Sequence, residues 1–81
     1  MSLDPLPVID SCVRSAQALD ERFGDMSKVR VEFNGYNCTW TAEAVWPNNR
    51  IVSDERYSIA SAALSLATKL LFEDYYGTSN F

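Results

Sequence analysis

Residues 28–41 read Lys28-Val-Arg-Val-Glu-Phe-Asn-Gly-Tyr-Asn-Cys-Thr-Trp-Thr41, and this stretch decides the fold. Its first six residues alternate strictly. Val29, Val31 and Phe33 therefore point to one side of a strand, and Lys28, Arg30 and Glu32 to the other. Asn34-Gly35 supplies two residues that tolerate positive φ, as a two-residue type I′ hairpin turn requires. Closing the chain there predicts Phe33 opposite Tyr36, Val31 opposite Cys38 and Val29 opposite Trp40. The other face pairs Glu32 with Asn37, Arg30 with Thr39 and Lys28 with Thr41. A slip of one residue would set apolar against polar along the whole pair, so the faces are well specified.

Working outward, the second strand continues through Ala42 and Ala44, with Glu43 outward, to a turn at Trp46-Pro47-Asn48-Asn49. Arg50-Ile-Val52 reads as a short third strand. Before the hairpin, Ile9, Cys12, Val13, Ala16, Leu19 and Phe23 recur at three- and four-residue spacing. That spacing predicts a helix over about 7–23 with one apolar stripe, stopped by Gly24. Asp4-Pro5 and Leu6-Pro7 both offer proline-tolerant helix starts. After the third strand, Ser53 or Asp54 would cap a second helix over about 54–76, with Asp54 and Glu55 in its first turn. The fold expected is α+β in the order α-β-β-β-α. A hairpin and a short third strand make an antiparallel three-stranded sheet, with two helices packed on one face.

The second helix carries more apolar surface than one packing face needs. At 100° per residue, Ile59, Ala60, Ala62, Ala63, Leu64, Leu66, Ala67, Leu70 and Leu71 cover an arc of roughly 200°, against about 100° for a helix lying on a sheet alone. Either the first helix covers the remainder, or a second copy of the chain or a protein partner does.

The 81 residues suffice for one domain spanning 1–81, with 1–6 and 77–81 as flexible ends. No apolar run approaches the roughly 20 residues needed to span a bilayer. The first residues lack a basic stretch and a continuous apolar segment, so no export signal is read and a cytoplasmic location is expected. Asn37-Cys38-Thr39 matches a glycosylation sequon in letters, but without export it reads as plain strand sequence. Cys12 and Cys38 fall on apolar faces and are expected to be reduced, buried thiols. The net charge is −4 and the seven basic residues are scattered. That disfavours nucleic acid or an anionic membrane and favours a protein partner with a basic surface.

Little in the chain suggests catalysis. With no histidine, the commonest general base and metal ligand is missing. Two isolated cysteines do not make a zinc site, and three glycines form no phosphate-binding loop. Asp20-Glu21, Asp54-Glu55 and Glu73-Asp74 are neighbours about 100° apart on a helix, not an opposed acid and base. No enzyme activity, cofactor or metal is expected. Two surface patches remain as candidates for binding. One is the acidic, aromatic end of the second helix, Glu73, Asp74, Tyr75 and Tyr76, where carboxylates run against the helix dipole. The bland alternative there is a solubilising pair at a frayed end. The other is Trp46 and Tyr57 with Arg50 and Arg56 nearby. Here Trp46 would otherwise be a lid over the core, while the hairpin register places Trp40 inside it. Asp54 and Glu55, with Glu73, Asp74, Tyr75 and Tyr76, are the first choices for contacts to a partner.

The order of elements and the helix Tyr57–Leu71 resemble, in outline, the double-stranded-RNA-binding domain. That family holds phosphates with lysines at the start of its second helix. Here Ser53, Asp54 and Glu55 stand at the matching positions, so RNA binding does not carry over. Trp40-Thr-Ala-Glu-Ala44 and the alanine-rich Ala60 to Leu71 are similar to small phage and prophage proteins of the αββα, ABA-sandwich type. In those proteins a tryptophan-bearing strand precedes such a helix, and the likeness covers about half of the chain. The resemblance implies a phage or mobile-element binding protein, in its most specific form an anti-CRISPR inhibitor. Such an inhibitor binds a Cas effector and blocks nucleic-acid recognition, work that an acidic surface suits. The alternative is a homodimeric accessory protein built on the apolar face of the second helix.

Overall fold

The computed structural model describes residues 4–25 and 28–76. The elements are α1 (Pro5–Gln17), α2 (Asp20–Phe23), β1 (Lys28–Asn34), β2 (Thr39–Trp46), β3 (Asn49–Val52) and α3 (Ile59–Tyr76). The sheet order is β1-β2-β3, antiparallel throughout, and the helices pack on one face of it. The expected α-β-β-β-α architecture is therefore present, with its first helix in two pieces.

Three local departures have identifiable causes. The helix expected over 7–23 begins at Pro5, because Asp4 caps it by accepting from the Leu6 N–H at 3.1 Å. It then breaks at Ala18 and Leu19, where the Leu19 N–H turns tightly to the Ala16 carbonyl. That break sends Leu19 into the core. The stop at Gly24 holds, with φ at 93°.

The hairpin closes four residues further along β2 than a two-residue turn would close it. Phe33 faces Trp40, Val31 faces Ala42 and Val29 faces Ala44. Residues 35–38 form the loop. Its positive φ falls on Cys38 (54°), not on Gly35, and the Asn34 side chain accepts from the Tyr36 N–H at 2.9 Å. A shift by an even number leaves every side chain on its own face, so the alternating pattern tolerates it. What the new register adds is Arg30 opposite Glu43, an attractive cross-strand pair in place of Arg30 opposite Thr39. It also moves Cys38 out of the strand and into solvent, against the expectation of two buried thiols.

The second helix was expected from 54, but α3 begins at Ile59. Residues 53–56 stay extended beside β2 instead. The Ser53 N–H donates to the Ala42 carbonyl, and the Ala42 N–H donates to the Ser53 Oγ, both at 2.8 Å. Trp40 and Arg56 then exchange two backbone bonds, of 2.6 and 2.9 Å. Two β2 residues span what takes three on the other side, so one residue bulges. Ser58, not Ser53 or Asp54, takes the first-turn donors of α3: its Oγ accepts from Ser61 N–H at 3.1 Å and its carbonyl from Ala62 N–H at 3.0 Å.

The core sits between sheet and helices and is built from Cys12, Ala16 and Leu19, Ala42, Ala44 and Trp46, and Ala62, Ala63, Leu66 and Leu70. Alanines at the contacts let α1, α3 and the sheet approach closely, so that the Cys12 thiol donates to the Ala63 carbonyl at 3.1 Å. Burial pushes the Cys12 thiol above its ordinary pKa.

Candidate functional surfaces

Much of the acidic surface read from the sequence is committed inside the fold. The Asp54 carboxylate accepts from Lys69 Nζ at 3.0 Å and from Arg56 Nη2 at 3.3 Å. The hydrogen bond and charge of Lys69 hold its carboxyl below the usual range. The Asp54 N–H donates to Ser65 Oγ at 3.0 Å, and Lys69 Nζ also reaches the Val52 carbonyl at 3.1 Å. The polar strip of α3 thus pins the bulged connection. Glu55 accepts from Asn37 Nδ2 and Thr39 Oγ1, each at 3.2 Å, and ties the hairpin loop to the same bulge. Glu73 is bound by Arg22 of α2, whose Nη2 lies 3.1 Å from its Oε1 and 3.2 Å from its carbonyl.

The patch imagined around Trp46 does not form. Trp46 is 2% exposed, stands edge-on to Phe23 at 5.1 Å and donates its indole N–H to Asp20 Oδ1 at 2.9 Å. It is the lid over the core. Tyr57 is exposed just before α3. Asp74 and Tyr75 are exposed on the last turns of α3, and the side chain of Tyr76 lies outside the described residues.

Residues outside the candidate acidic patch complete an exposed apolar strip along α3. Once α1 and the sheet have covered Ala62, Ala63, Leu66 and Leu70, the outer side of α3 carries Leu64, Leu71, Phe72 and Tyr75, each between 52% and 75% exposed. Leu64, Leu71 and Tyr75 fall within roughly 40° of one another on the helix, with Phe72 about 60° further round. Leu71, Phe72, Asp74 and Tyr75 line a shallow groove. Leu64 and Leu71 were legible as part of the surplus arc; the strip they form with Phe72 and Tyr75 needed the packing of α1 to become visible.

The uncovered face of the sheet holds a second feature. Glu43 is 5% exposed although no helix lies over it. Arg30 Nε bonds its Oε1, and Arg50 Nη1 lies 3.4 Å from its Oε2. Arg30 also reaches Glu32 at 3.4 Å. Burial pushes the Glu43 carboxyl up. The hydrogen bonds with Arg30 and Glu32, and the charges of Arg30 and Arg50, outweigh it, so the net direction is down. The outward position of Glu43 was legible; its burial under two arginines was not, because the partners are assigned by the register.

Among the described residues no group of three His, Cys, Asp or Glu is placed to hold a metal ion, and no helix is long and apolar enough to cross a membrane. The groove at the hairpin tip, between Phe33, Tyr36 and Glu55, is open to solvent. No family model, no curated protein and no solved structure matches this chain.

Proposed function

We propose that this protein is a non-catalytic protein-binding module that docks through the outer side of α3. The observation that carries the reading is the strip Leu64, Leu71, Phe72 and Tyr75, more than half exposed along one helix. Contiguous apolar surface with aromatic members is the usual composition of an interface centre. Asp74 at its rim and a net charge of −4 favour a partner with a basic surface. The finer version is a phage or mobile-element inhibitor, with a Cas effector as its most specific target; its support is the acidic surface and the likeness of the Trp40–Ala44 strand and Ala60–Leu71 helix to small phage proteins. The second reading, a homodimer on the same helix, is favoured by the low charge of the strip itself.

The test is an affinity capture from bacterial lysate with the wild-type chain and a Leu71→Ser/Phe72→Ser variant, at low and high salt. A nucleic-acid-handling protein recovered by the wild type, weakened by salt and lost with the variant, is the expected result. Asp74→Lys separates charge from apolar contact. Capture unaffected by the double variant would remove α3 as the docking surface. Recovery of the chain alone, with a dimeric mass abolished by the double variant, would favour the second reading.

A further inference from the structure

The two edges of the sheet are treated differently. The β3 edge is short, Asn49–Val52, and runs into the bulge at Ser53–Arg56 with Lys69 bonded to its Val52 carbonyl. Shortness, a bulge and a lysine are the usual guards against edge-to-edge pairing. The β1 edge is seven residues long, has no proline, and no described strand pairs with its outer side.

Which of its backbone groups face outward follows from β2. Trp40 and Ala42 direct their N–H and C=O groups toward the β3 side, where they bond Arg56 and Ser53. The alternate residues Thr41 and Glu43 therefore face β1, and bond Glu32 and Arg30 in the observed register. That leaves Val29, Val31 and Phe33 with their N–H and C=O groups directed away from β2.

A second β1 strand can pair antiparallel there only in registers that set these outward residues opposite one another. Electrostatics then selects among them. Centred on Arg30, a two-fold axis sets Arg30 against Arg30 of the other copy; centred on Glu32, it sets Glu32 against Glu32; centred on Val29, it sets Lys28 against Arg30. Centred on Val31, Arg30 faces Glu32 and Glu32 faces Arg30, both as the close, non-hydrogen-bonded kind of pair. On the other face the same axis puts Val31 beside Val31 and Val29 beside Phe33, which is 54% exposed in the single chain. Aromatic against β-branched and opposite charge against opposite charge are both favourable cross-strand pairs.

We infer that the β1 edge is a self-association surface, taking a second copy of this chain in antiparallel register about Val31 to give a continuous six-stranded sheet. The interface is isologous, so each favourable pair occurs twice. It uses none of the α3 strip and stands independently of the function proposed above.

The test combines mass with residue-resolved amide exchange over a range of protein concentrations. The expected result is a species of twice 9.1 kDa, with the amides of Val29, Val31 and Phe33 gaining protection as it forms. Glu32→Lys turns both central attractions into repulsions and should weaken association roughly tenfold. Val31→Pro removes an outward donor without touching the β2 ladder, and should give a folded monomer by circular dichroism. Should the proline variant fail to fold, Glu32→Lys carries the test alone. A monomer at every concentration overturns the inference. So does a dimer whose Val29, Val31 and Phe33 amides exchange as before, which would place the contact on α3, and so does a dimer indifferent to Glu32→Lys.

Discussion

Trp40 and Trp46 stand on the same face of the same strand, six residues apart, and meet different fates. Trp46 is closed in by α2, with Phe23 against its ring and Asp20 on its indole N–H. Trp40 is only half-buried, leaning on the exposed Phe33 at 4.8 Å, with its backbone tied to Arg56. The alternation of β2 assigns both rings to the core side but says nothing about how far the helices reach along the strand. One end of the sheet is sealed by the short helix after Leu19; the other ends in a hairpin loop that carries Cys38 into solvent. Position on a face and burial are thus separate properties, the first local and the second set by what lies overhead.

The largest effect should come from emptying the sealed end. Trp46→Ala is expected to cost about 3–5 kcal/mol in chemical denaturation, the range for a fully buried aromatic, and Trp40→Ala less than half of that. Equal losses would show that the two ends are closed alike and break the comparison.

A smaller loss is expected on the open face of the sheet, and it should depend on pH. The Glu43 carboxyl is held below the ordinary value of 4.5, so the unfolded chain takes up the proton more readily than the folded one. Its contribution is whole above about pH 4.5 and is lost as pH falls through the lowered value. Asp54, held below 3.8, adds a limb of the same sign at lower pH. Glu43→Gln should flatten the upper part of the acid limb in a series of melts; an unchanged profile would mean the two arginines do not clamp this carboxylate in solution.

Finer still is Trp46→Phe, which keeps a ring in the seal and removes the donor to Asp20. A loss of about 1.5–3 kcal/mol is expected, the net worth of a hydrogen bond to a charged acceptor. The least perturbing probe leaves stability alone. With a thiol reagent under native conditions, Cys38 at the open end should react quickly and Cys12, buried with its pKa raised, only on unfolding. Two fast thiols would show that α1 does not seal over α3.

How legible the candidate surface was follows the same division. Leu64 and Leu71 could be read from helical periodicity, and Tyr75 and Tyr57 from position. Asp54, Glu55 and Glu73 could be read only as acidic. Asp54 also meets Arg56 two positions on, but that they hold Lys69, Asn37 and Thr39, and Arg22 depends on residues 15 to 51 positions away in the chain, and no local pattern reports such pairs.

By itself the sequence determined the element order, the faces of β1 and β2, the stop at Gly24 and the surplus apolar arc of α3. Each is a periodicity or a backbone preference that acts within a few residues. Only the tertiary structure decided the hairpin register, the late start of α3 and the burial of Glu43. An even shift leaves every face intact, so alternation has no power over it; the Arg30–Glu43 pairing and the Cys38 loop are what distinguish one even register from another. Residues 53–56 were drawn from helix into backbone pairing with β2 because Trp40 and Ala42 had backbone groups facing that side to be satisfied. Unmet backbone hydrogen bonds of a neighbouring strand outweigh the weak helical preference of a short polar segment.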